Sequence, residues 1–262
     1  MLLPLLTRAL AHHPAPLLRR APTLVSLANH PATTALWLED TFAFEATASV
    51  LEAAALEDGE GLAVVLDASP FHPQGGGQPS DVGTIVSEAG ASLDVRSVRM
   101  DRGTGVVVHE VAAAEPLAPG ERVRCVVEEA TRTTAARVHS AGHLIDTAMA
   151  RCDVGEDVLK PTKGYHFAEG AYVEYAGALS VEEREALLPR LQAALDQLVE
   201  EALPVEVSTA DDGGRVVSIG GVGCGCGGTH VSTLDQIGRV TLKAIKKKGK
   251  ALRVSYSVGD KE

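Results

Sequence analysis

The feature that most constrains this chain is a split set of four metal-ligand side chains. His139 and His143 stand four apart in RVHSAGHLIDTAM, and Cys226 and His230 stand four apart in CGGTH. Thiolate and imidazole bind zinc in tetrahedral arrays, and two pairs carried by different elements close such an array when they meet. About eighty intervening residues are then folded around one ion. That makes the second half of the chain a single unit.

The two pairs differ in what they say. Residues four apart on a helix lie on one face, a turn apart, so His139 and His143 can offer two imidazoles to one ion without strain. Alone, this pair reads equally as two ordinary histidines at a common spacing. Cys226-Gly-Gly-Thr-His230 is more specific, because two glycines let the chain turn tightly around a centre and Thr229 brings a hydroxyl beside it. Four protein ligands describe a closed structural site, whereas hydrolytic zinc keeps a position for water. Cys224 stands close enough to compete with Cys226. Ser140, Ala141 and Gly142 fill the gap between the first two histidines, so the glutamate base of a His-Glu-x-x-His helix is missing.

Cys125, Cys152, Cys224 and Cys226 are too few for a disulfide ladder in 262 residues and fit a reducing, cytoplasmic setting. No run approaches the roughly 20 apolar residues that span a bilayer, so no membrane partner is expected. Residues 1–33 stand apart: they carry Arg8, Arg19 and Arg20, and no acid precedes Glu39. They read as an extension, either disordered or acting as an organelle transit peptide.

Residues 34–128 read as a β-barrel-like domain. Leu62–Leu66 is an apolar strand, Leu93–Val98 alternates, Val106–Val108 is a branched run, and Val123, Cys125 and Val127 alternate with charged neighbours. Aromatics make up only 3% of the chain, so the core must be built from Val, Leu, Ala and Ile. Many short strands with one helix at most predict a small barrel. Residues 129–262 read as α+β. A helix is expected from Thr133 to Met149, with Gly142 lowering its propensity while allowing close approach of another group. Ser180 and Glu183 form a capping box for a second helix to about Ala202, with Leu188, Leu191, Leu195 and Leu198 as its buried stripe. Pro189 must kink that helix or mark a break near its start. Strands follow at Val205–Ser208, Arg215–Ile219, Val240–Ile245 and Leu252–Val258.

Two further segments stand out. Phe71 to Gly83 contains Gly75, Gly76 and Gly77 in a row, which suit a sharply bent backbone or one that touches a ligand. The Lys-Ser/Thr ending of a Walker loop is missing, and an ordinary flexible turn is the plain alternative. Gln78, Ser80 and Asp81 are polar groups such a loop can aim at a polar substrate. From Arg239 to Arg253 the chain carries seven cations, including Lys246, Lys247 and Lys248, and no acid, against a net charge of -11. Such clusters hold phosphate backbones or protect an edge strand. A lesser basic-aromatic group, Lys160, Lys163, Tyr165 and His166, can stack on bases or contact phosphate.

The order GGGQPSDVG, HSAGH, CGGTHV and IGRVTLKAIKKKGKALRVSYSV resembles the editing domain of alanyl-tRNA synthetase, and more closely the free-standing alanyl-tRNA editing proteins of AlaX type. The likeness covers roughly Thr34 to Val258. It implies a small β-barrel joined to a zinc-binding α+β editing domain that hydrolyses tRNA for alanine mischarged with serine or glycine. It further implies one zinc on His139, His143, Cys226 and His230, and a glycine loop near the aminoacylated 3′ end. On that footing Thr229 and Gln78 are the expected catalytic groups. Gly75, Gly76, Gly77, Gln78, Asp81, Lys163, His166 and Lys246 to Lys248 are the expected substrate contacts. His72 and Gln74 depart from the family's usual tyrosine and glutamate, and Cys224 is an added thiol. Mischarged tRNA is the expected partner, with no DNA or membrane. The competing readings are an inactive tRNA-binding module with structural zinc and a zinc hydrolase of small esters.

Overall fold

The computed structural model describes residues 27–57, 59–112 and 117–260. Most of the expected N-terminal extension lies outside them. Its last residues, 27–33, lie along the barrel: Thr33 is buried, its backbone N–H donates to Gly105 O at 3.1 Å, and its hydroxyl donates to Leu66 O. The packed chain therefore starts before the expected Thr34. Among the described residues no helix is long and apolar enough to cross a membrane.

After a two-residue strand β1 (Thr34–Ala35) come β2 (Glu45–Ala55), β3 (Leu62–Leu66), β4 (Ala68–Ser69), β5 (Gly83–Ser87), β6 (Ser92–Met100), β7 (Val107–Ala112) and β8 (Arg122–Val127). Six of them close a barrel in the order β2-β3-β7-β6-β5-β8, while β1 and β4 form a small parallel pair. Period-2 alternation places Val123, Cys125 and Val127 of β8 inside. The interior is filled by Val50, Val64, Leu66, Phe71, Ile85, Val95, Val98 and their neighbours. β2 was not expected: EATASVLEAAA has the composition of a helix, and cross-strand packing in a closed sheet overrides that preference.

The second half carries α1 (Glu129–Arg151), β9 (Leu159–Tyr165), β10 (Tyr172–Gly177), α2 (Val181–Glu201), β11 (Glu206–Thr209), β12 (Arg215–Ile219), β13 (Val222–Gly225), β14 (Arg239–Lys248) and β15 (Ala251–Gly259). A four-stranded sheet in the order β14-β15-β10-β9 packs one face on the two helices, and β11-β12-β13 form a smaller sheet. Ser180 and Glu183 make the capping box. α2 then runs through Pro189 as one helix, so of the expected kink or break the break does not occur. Leu187, not Leu188, heads its buried stripe; Leu188 is only partly covered.

A buried ion pair ties the two halves together. Arg132, at the start of α1, is fully buried and donates through Nε to both carboxylate oxygens of Asp81 at 3.0 Å. Its other nitrogens donate to the backbone carbonyls of Thr41 and Pro70. Each of the three guanidinium nitrogens therefore meets an acceptor on the barrel side, which is what lets a full charge be buried there.

Candidate metal centre

His139 and His143 stand on the inward face of α1, one turn apart. Cys226, Thr229 and His230 come from the loop that follows β13. One donor atom from each of His139, His143, Cys226 and His230 lies within 4.8 Å of all the others. The separations are 3.2 Å between the two helix Nε2 atoms, 3.7 Å from Cys226 Sγ to His139 Nε2, and 3.3 Å from Cys226 Sγ to His230 Nε2. Ligands at zinc distances on a tetrahedron stand roughly 3.3–3.6 Å apart. The spacing and the donor set fit zinc.

The ring nitrogens that face away from this centre are spent on the protein. His139 Nδ1 lies 2.7 Å from Gln78 Oε1, which also accepts from the backbone N–H of Thr229 at 3.0 Å. Gln78 Nε2 in turn donates to Thr229 Oγ1 at 2.8 Å. His230 Nδ1 lies 3.2 Å from Ser140 Oγ, and His143 Nδ1 lies 3.2 Å from Cys224 Sγ. Partners of this kind fix ring orientation and leave Nε2 as the donor to a metal. Burial, together with the neighbouring histidines, holds His139 and His230 well below the ordinary histidine value, and burial alone brings His143 to about 4. These are the neutral imidazoles that metal binding requires. Burial raises the Cys226 thiol, while the Gly228 N–H, 3.4 Å from its sulfur, and the nearby Arg215 pull it back.

Two glycines make the approach physically feasible. A Cβ on Gly228 would sit 2.2 Å from His139 Cε1, so the CGGTH loop can pass over that ring only without a side chain. A Cβ on Gly142 would sit 2.3 Å from His166 Cε1. Gly142 thus admits a fourth imidazole, stacked on His139 with centroids 4.6 Å apart. His166 is outside the ligand group; its Nδ1 lies 2.7 Å from the hydroxyl of Tyr256.

Beside the cluster opens a cavity of about 420 Å³, lined by Gly76, His139, His143, Asp146, Thr162, Lys163, His166, Cys224 and Cys226 among others. Of the expected substrate contacts, Gly76, Lys163 and His166 line it. Gln78 and Thr229 do not: both are fully buried beneath the ligands and spend their polar atoms on each other and on His139. Asp81 is likewise withdrawn, buried in the pair with Arg132. Gly75 pairs with Gln78 across the loop, and the carbonyl of Gly77 accepts from His166 N at 2.8 Å, so the glycine loop is fastened to the end of β9. His72, packed edge-on against Trp37, and exposed Gln74 are not among the lining residues either. Lys246, Lys247 and Lys248 are exposed at the far end of β14, away from the lining.

Asp146 was missed. It sits three residues beyond His143 on the ligand-bearing face, a spacing that points to it directly. Its carboxyl accepts from the Tyr175 hydroxyl, and burial raises it to about 6. It is an anion-forming group on the wall of a cavity that otherwise offers imidazole, thiol and ammonium.

The model of the tRNA synthetases class II (A) family matches residues 26–131. The chain is 31% identical over 257 residues to the alanine–tRNA ligase of Korarchaeum cryptofilum, covering 89% of this chain and 27% of that enzyme. It is 30% identical over 201 residues to the chloroplastic/mitochondrial alanine–tRNA ligase of Micromonas pusilla, covering 69% of this chain and 22% of that enzyme. With the alanyl-tRNA editing protein AlaX-M of Methanosarcina acetivorans it shares 28% identity over 225 residues, covering 74% of this chain and 87% of that protein. The chain thus spans about a quarter of the length of these ligases and most of the length of the editing protein.

Proposed function

Because the chain belongs with the alanyl-tRNA editing proteins of AlaX type, we propose that it hydrolyses the ester of tRNA for alanine mischarged with serine or glycine. The observation that carries this reading is the convergence of four zinc-type ligands, from two segments of chain, on the edge of a cavity that also presents Asp146, Lys163 and His166. His139, His143, Cys226 and His230 would hold the zinc, and bound zinc would supply a Lewis acid beside the ester.

The remaining work falls to the chain's own groups. Gln78 and Thr229 hold His139 and the CGGTH loop in place, which makes them positioning residues. Lys163, at the rim, offers a cation to a phosphate. Asp146, raised to about 6 by burial, is placed to accept a proton from an attacking water near neutral pH. Serine differs from alanine by a hydroxyl, and cavity groups that pair with it are left unpaired by alanine, which spares the correct product.

The full ligand set supports a second reading, a tRNA-binding module whose zinc only holds the fold. Deacylation of Ser-, Gly- and Ala-charged tRNA for alanine by the zinc-loaded protein separates the two. Fast release from seryl-tRNA, slow release from alanyl-tRNA and loss of both in His143→Ala are expected for an editing enzyme. Zinc and tRNA bound with no ester cleaved would leave the module.

A further inference from the structure

One face of the β14-β15-β10-β9 sheet carries the core residues Val173, Tyr175, Val254 and Tyr256 against the helices. The opposite face carries a ladder of planar groups. Phe167 stacks on Tyr165 with centroids 4.6 Å apart and planes 16° off parallel, and Tyr165 stacks on its cross-strand partner Tyr172 at 5.2 Å and 12°. The Arg253 guanidinium lies 3.8 Å over the Tyr172 ring, held there by Glu174 at 2.8 Å. Three of the chain's nine aromatic side chains are thus placed, half-buried, on an outer face of a protein otherwise poor in them. In the next row of the sheet Lys246, Arg253, Glu174 and Lys163 stand side by side. Glu174 is engaged by Arg253, which leaves the exposed lysines as the charge of the face.

β9 divides this ladder from the cavity. Gly164 and His166 line the cavity, Tyr165 and Phe167 alternate onto the open face, and Lys163 borders both. A group entering the cavity around the edge of β9 trails the preceding part of its molecule across the ladder. Flat faces flanked by cations, on a chain of net charge -11, match unpaired nucleotides: aromatic rings and arginine planes stack on bases of any sequence, and ammonium groups take the phosphates.

We propose that this open face is a stacking platform for the unpaired 3′ nucleotides of the tRNA. The proposal rests on the editing reading for the identity of the RNA and on the ladder for the mode of binding. It assigns the outer faces of Phe167 and Arg253, the two ends of the stack that Tyr165 and Tyr172 hold together, to the bases, and Lys163 and Lys246 to phosphates.

The test compares binding of tRNA for alanine, intact or trimmed of its unpaired 3′ nucleotides, and of the oligonucleotide r(ACCA). It uses wild type, Tyr172→Leu, Phe167→Leu, Tyr172→Phe and Lys246→Ala. Trimming is expected to weaken wild-type binding about ten-fold and to have little effect on either leucine variant. The leucine variants should keep their zinc content, unfolding temperature and salt dependence, and Tyr172→Phe should restore the trimming effect. Lys246→Ala should flatten the dependence of log affinity on log salt while keeping the trimming effect. Leucine variants that lose as much on trimming as wild type would overturn the platform and leave the editing reading standing. If tRNA is neither bound nor hydrolysed, yet r(ACCA) is bound by wild type and lost in Tyr172→Leu, the editing reading fails and the platform stands. Failure of wild type to bind either RNA overturns both.

Discussion

Each half of the molecule buries histidine, and the two do it differently. In the barrel His109 is fully enclosed, with Nδ1 3.0 Å from Val64 O, Nε2 2.7 Å from Ser69 Oγ, and its ring edge-on to Phe71. Both nitrogens are spent on the protein, and burial holds the ring neutral, with its pKa at about 4. In the second half His139 and His230 are covered to a similar depth and His143 is half-buried, yet each spends one nitrogen on a neighbour and turns the other toward a shared centre. Depth of burial does not distinguish a ligand from a core residue. A second nitrogen that converges with the others on one centre does.

The largest test of that distinction removes a ligand. His139→Ala should lose stoichiometric zinc by elemental analysis and reduce deacylation by more than about a hundredfold, since changing an outer partner alone costs 10–100-fold. Zinc retained at full stoichiometry would erase the contrast with His109. Next comes the joint between the halves. Asp81→Asn leaves Arg132 as a buried charge without its counter-ion and should cost about 3–5 kcal/mol in chemical denaturation; an unchanged midpoint would show that the pair is dispensable.

The barrel histidine supplies a pH signature. Its folded pKa of about 4 lies below the unfolded value near 6.5, so the unfolded chain binds the proton more readily. Its contribution is therefore complete above pH 6.5 and is lost as pH falls toward 4, by roughly 3 kcal/mol in all. His109→Gln should flatten the acid limb of stability against pH, and parallel curves for variant and wild type would refute the assignment. The smallest effect belongs to Gln78→Leu. With no acceptor left for His139 Nδ1, zinc affinity should fall about 10–100-fold, measured by chelator competition, while His109 and the barrel are undisturbed. An unchanged affinity would mean that the Thr229 loop alone orients the ring.

Much of this was legible in the sequence, for identifiable reasons. The i,i+4 spacing of His139 and His143 and the glycines of CGGTH are local geometric statements, and folding leaves them intact. The period-2 run of β8 and the Ser180–Glu183 capping box are local in the same sense. What could not be read is non-local. Gln78 is 61 residues from His139 and 151 from Thr229, and a glutamine after three glycines looks like a loop-tip group waiting for substrate. Nothing short of the fold shows that its amide is already engaged. Asp81 misled in the same way, because its partner Arg132 is 51 residues away. β9 was obscured by its composition: LKPTKGY holds a proline, two lysines and a glycine, which only an edge strand with a register shift beside Pro161 accommodates. Asp146, by contrast, was there to be found one turn along the ligand face.

The way the barrel grips the metal loop bears on what can be exchanged between relatives. The indole N–H of Trp37 donates to the carbonyl of Gly227, the hydroxyl of Thr41 accepts from His230 N, and the carbonyl of Thr41 is itself held by Arg132. A ligand set that looks self-contained in the second half is therefore partly hung from the first. A graft of residues 129–260 onto a foreign barrel would carry all four ligands and still lack the groups from which their loop is suspended. The smallest unit that can be transplanted with its metal chemistry intact is the pair of halves together.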